Sequence, residues 1–140
     1  MKSIDFVQLI PLTGLDLGSL TFEGTGAGSA KIFQDGTIVV ETTTTAEANK
    51  TITLKTPVSF RILDVFSIHN DATSAKWTIK NNTTAITSLI VMGASDTDID
   101  RAISIDNAQY EFTADDDDLV IAIDNTAAAL AIWVFKIQFI

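Results

Sequence analysis

A chain of 140 residues with a net charge of −9 and a pI near 4.3 is sized for one domain and is poorly suited to phosphate contacts. Its nine basic residues are scattered singly, which argues against a nucleic-acid partner. It has no cysteine, so disulfides, thiolate nucleophiles and thiolate metal sites are excluded.

The hydrophobic fraction of 46% and mean hydropathy of +0.29 are high for so charged a chain, and predict interfaces beyond one small core. Residues 1–36 stand apart. Leu9, Leu12, Leu15, Leu17 and Leu20 are interrupted by Pro11, Gly14 and Gly18, so no periodicity persists. Gly24-Thr-Gly-Ala-Gly-Ser29 reads as a flexible joint. We expect an extended N-terminal arm with a Gly-rich hinge over 1–36 and a β domain over 37–140. Lys2 is followed by Asp5, Gln8 and Pro11, which is not the pattern of a secretory leader. The longest uncharged apolar run, 127–135, falls well short of the ~20 residues of a membrane span, so no membrane partner is expected.

Asp35-Gly36 is a hairpin-type turn signal, because both positions tolerate positive φ. Short strand patterns follow over 37–41 and 50–55, both rich in Thr, Ile and Val. Val58, Phe60 and Ile62 alternate with polar neighbours, and Phe66 and Ile68 resume the rhythm after an irregular phase that predicts a bulge near Asp64. A turn over 69–74 precedes the clean alternation of Ala75, Trp77 and Ile79. After the Asn81-Asn82 turn, Thr83 and Thr84 could cap a helix, and Ile86, Leu89 and Ile90 have helical spacing. One short helix is predicted there. Strands are expected over 102–105, 109–113 and 119–123, the last pairing with the final strand across a 125–128 turn. About eight short strands with little helix predict an all-β sandwich of jelly-roll type.

Residues 129–140 are apolar at nearly every position. Ala131, Trp133, Phe135, Ile137 and Phe139 share one strand face, and Leu130, Ile132, Val134 and Ile140 the other. Both faces require a cover. In an acidic protein this small, another copy of the chain can supply one of them.

No active site assembles from the remaining residues. Ser67, His69 and Asp71 alternate on one face, but same-face neighbours sit about 7 Å apart, too far for a nucleophile–base hydrogen bond. His69 is the only histidine, whereas a cupin-like metal enzyme would need several. Asp96-Thr-Asp-Ile-Asp100 opens like a calcium loop, yet Arg101 and Asn107 stand where an EF-hand needs Gly and Glu, which leaves a solvated loop or a non-standard cation site at Asp96, Asp98 or Asp100. The Asp115–118 run reads as a solvated turn that a cation could also occupy, and no cofactor is expected. Gly24-Thr-Gly-Ala-Gly28 fails the dinucleotide spacing. Trp77, Trp133 and Tyr110 could form a sugar platform, but both tryptophans fall on apolar phases and read as core. The glycosylation-type triplets at Asn49, Asn81 and Asn82 read as incidental without a leader.

From Phe60-Arg-Ile-Leu-Asp-Val-Phe-Ser-Ile68 onward the chain resembles the small jelly-roll decoration (cement) proteins on the heads of tailed bacteriophages. The likeness runs through 75–80, the Asn81-Asn82 turn, the Ile86 segment, Arg101-Ala-Ile-Ser-Ile-Asp106, Leu119-Val-Ile-Ala122 and Val134-Phe-Lys-Ile-Gln-Phe139. It covers about 58–140 and is a rhythm of strands and turns. Where relatives place Gly-Asp before the penultimate strand, this chain has Ala114 and four aspartates. The resemblance implies a homotrimer on the outer capsid surface, made in the host cytoplasm, that clasps neighbouring major capsid subunits without catalysis. On that footing Trp133, Phe135, Ile137 and Phe139 are candidate trimer contacts, and Phe6, Leu9, Leu12, Leu15 and Leu17 a candidate capsid-binding arm. The rival expectation is a trimeric phage fibre or receptor-binding module recognising a surface glycan.

Overall fold

The computed structural model describes residues 21–23, 28–42, 51–69, 76–91, 99–102, 104–106, 108–124 and 131–140. Among the described residues, twelve strands run in chain order. They are β1 (Thr21–Glu23), β2 (Gly28–Phe33), β3 (Thr37–Thr42), β4 (Thr51–Lys55), β5 (Phe60–His69) and β6 (Lys76–Asn81). The second half supplies β7 (Thr84–Ala85), β8 (Ile90–Val91), β9 (Ile99–Arg101), β10 (Glu111–Phe112), β11 (Asp118–Asp124) and β12 (Ala131–Phe139). The protein is all-β, and no described residue is helical.

Two antiparallel sheets share these strands. The first has the order β10-β5-β12-β3-β2, with β9 also on β5; the second has β1-β4-β11-β6-β7, with β8 also on β6. The alternating residues of both sheets turn inward to form one cluster: Ile32, Ile38, Val40, Phe60, Val65, Trp133 and Phe135 from the first, Ile52, Leu54, Trp77, Ile79, Leu119 and Ile121 from the second. This arrangement is consistent with a β-sandwich. Phe60 and Phe112 stack at 5.0 Å between ring centroids. Two polar ties cross the core. Trp77 Nε1 donates to Ser67 Oγ at 2.9 Å, and Asn81 Nδ2 donates to the carbonyls of Gln109 and Glu111. Buried polar groups need such partners, because an unmet donor keeps its desolvation cost.

Several expected features appear where the residues put them. The register between β5 and β12 slips between Lys136 and Ile137, opposite Asp64 and Ile62, so Leu63 is the extra residue of a bulge. Leu63 is thereby turned out to solvent, and Asp64 Oδ1 accepts the Val65 N–H. Asp35-Gly36 closes the β2–β3 hairpin, with Gly36 at φ +88 and its N–H on the Phe33 carbonyl. Gly36 also accepts the Ile137 N–H at 2.8 Å, and a Cβ there would stand 2.6 Å from the Ile137 oxygen. Gly36→Ala is therefore expected to destabilise by more than the roughly 1–3 kcal/mol of a strained backbone alone. Thermal unfolding checks this; an unchanged midpoint would contradict the turn geometry.

Gly28–Phe33, on the N-terminal side of the expected boundary at 36, is a strand paired with β3, and its Ala30 and Ile32 are buried. Two expectations are corrected. The short helix after Asn82 is not formed. The Ile86 N–H goes to the Ile79 carbonyl and the Ile86 carbonyl accepts the Asp106 N–H, so long-range bonds consume backbone groups a helix would need. The expected hairpin of the last two strands is also absent. β11 lies between β4 and β6 in one sheet, while β12 lies between β3 and β5 in the other.

Candidate functional site

The positions that carried possible chemistry are mostly engaged in holding the fold. Ser67 is fully buried and its hydroxyl accepts the Trp77 indole N–H. His69 ends β5, and Asp71 lies outside the described residues. In the acidic run, Asp115 takes φ +64, a conformation Asp tolerates, and its N–H bonds the Thr56 carbonyl at 2.7 Å. Asp117 accepts the Thr113 N–H through Oδ2 and the Asn82 amide through Oδ1, while Asp118 pairs with Lys55 at 3.6 Å. These carboxylates brace a turn against the Asn81-Asn82 turn. Asp96 and Asp98 lie outside the described residues, and among those described no three acidic or histidine side chains group around a metal-sized site. No described helix is long and apolar enough to cross a membrane.

The sugar platform is not assembled. Trp77 and Trp133 are both enclosed, and Tyr110 is half-buried beneath Arg61, 5.5 Å from its ring centroid. Asn81 is spent on its two core carbonyls, Asn82 on the Asp117 turn, and Asn49 lies outside the described residues. Two shallow grooves are lined by described residues. One of about 340 Å³ runs between Thr51, Thr53, Lys80 and Asp118 on the second sheet; another of about 320 Å³ sits at the bulge between Leu63, Asp64 and Tyr110.

The tryptophans differ in one respect. Trp133 Nε1 is buried with no hydrogen-bond partner among the described residues, whereas Trp77 Nε1 has Ser67. Trp77→Phe leaves the Ser67 hydroxyl without its donor, so it is expected to cost about 1–2 kcal/mol more than Trp133→Phe. Denaturant unfolding of both variants measures the gap; equal losses would contradict the Trp77–Ser67 bond.

The feature that remains is a surface. Of the candidate trimer contacts, Trp133, Phe135 and Ile137 point inward and are 1%, 0% and 5% exposed within a single chain. They close the core and offer nothing to a neighbour. Phe139 is 39% exposed and, with Ile140, forms the apolar end of the strand. The face of β12 that turns outward carries Ile132 and Val134, both half-buried, followed by Lys136 and Gln138.

Register extends that face into a band. Ile99, Ile68 and Ile132 form one row across β9, β5 and β12; Phe66, Val134 and Val39 form the next across β5, β12 and β3. Ile99 is 60% exposed, and Arg101 lies over the Phe66 ring at 5.2 Å. Polar rows bound the band: Asp64, Lys136 and Thr37, then Glu111, Arg61 and Gln138. The matching outer face of the second sheet is mostly polar, with Thr51, Thr53, Thr78 and Lys80 around Val120 and Ala122 on β11, and Val91 exposed at its edge. A single wet sheet face ordinarily looks like the latter. Phe6, Leu9, Leu12, Leu15 and Leu17 lie outside the described residues.

No family model matches the chain, and no curated protein matches it significantly.

Proposed function

We propose that this chain is a structural assembly protein: a jelly-roll decoration (cement) protein that sits as a homotrimer on the outside of a tailed-phage head and stabilises contacts between major capsid subunits. The observation that carries the reading is the central strand β12, whose inward face completes the core while Ile132 and Val134 continue an apolar band outside. Half-buried apolar side chains on adjacent strands, with Ile99 exposed beside them, suit a contact surface more than a solvated one.

The jelly-roll assignment draws on strand order. Taking β7 with β8 and β9 with β10, the chain from β3 onward supplies eight successive strands. They interleave as β3-β12-β5-β9/β10 in one sheet and β4-β11-β6-β7/β8 in the other. Two Greek keys wound together give such an alternation. The sequence resemblance over 58–140 supplies the phage-head setting. Residues Phe6, Leu9, Leu12, Leu15 and Leu17 lie outside that resemblance and are assigned, on their apolar character and the Gly-rich stretch that follows, to a segment that engages the major capsid protein. The net charge of −9 suits a surface that faces solvent and repels the packaged genome.

The alternative, a fibre or receptor-binding module that recognises a glycan, shares the sandwich but would have to stack sugars without Trp77 or Trp133. High-resolution imaging of the particle whose genome encodes this chain separates the two. Density fitting the two sheets on the outer shell supports the decoration reading. Density on a fibre, or none on the head, overturns it.

A further inference from the structure

We draw no further inference here: the strongest candidate, the outer edge of β2, which at six residues is the longest terminal strand of either sheet among the described residues, carries nothing, because nothing in the structure shows which strand pairs with it.

Discussion

Trp133→Ala is expected to remove about 3–5 kcal/mol of stability, the range for truncating a fully enclosed large aromatic. Trp133 sits on the middle strand, between Val40 on β3 and Ser67 on β5, and is 1% exposed. Its cavity would open at the centre of the core, where strands on both sides are held by hydrogen bonds and cannot collapse inward. Typical domains have roughly 5–15 kcal/mol in all, so the variant should unfold near or only slightly above room temperature. Its neighbour Ile132 provides the comparison, because it lies on the same strand with the opposite face. Ile132→Ala should cost far less in the folding of one chain. Thermal unfolding of both variants at one fixed concentration measures the difference, since assembly would otherwise shift the midpoints. Equal losses would mean that the two faces of β12 are buried alike.

The second large effect concerns association. Phe66→Asp combined with Val134→Asp places two carboxylates on the outer band, where an approaching copy would have to desolvate them without partners. That penalty amounts to several kcal/mol, so the dissociation constant should rise at least about a hundredfold. Both positions are only half-buried in the single chain, and the core behind them is unchanged, so folding should survive. The expected result is a folded monomer by native mass with an ordinary β circular-dichroism spectrum. Thr78→Asp, on the outer face of the second sheet, should leave association unaltered. A double variant that keeps the wild-type mass would remove the band from the assembly.

Much of this layout is legible in the residues, and the exceptions have physical causes. Alternation located β3, β4, β5 and β6 because each has one inward and one outward side, and the broken phase at Leu63-Asp64 marked the bulge. The last strand defeated that logic. When both phases are apolar, a period of two says that both sides are covered but not which one is the core. The tie-breaker was present in Lys136 and Gln138, which share the phase of Ile132 and Val134 and so mark it as the outer one. β2 was hidden by the small residues Gly28, Ser29 and Ala30, although a hairpin turn at Asp35-Gly36 requires a strand before it. The segment after Asn82 shows tertiary bonding overriding helical spacing, since Thr87 and Ile86 both bond to Ile79. The pairing of β11 with β4 and β6 was out of reach of local pattern, because long-range topology decides which sheet a strand joins.

Sedimentation equilibrium of the unmodified protein tests the proposed assembly most directly. A self-associating shell component should sediment at three times the 15.1 kDa chain mass at micromolar concentration. A species of one chain mass that persists on concentration would contradict it.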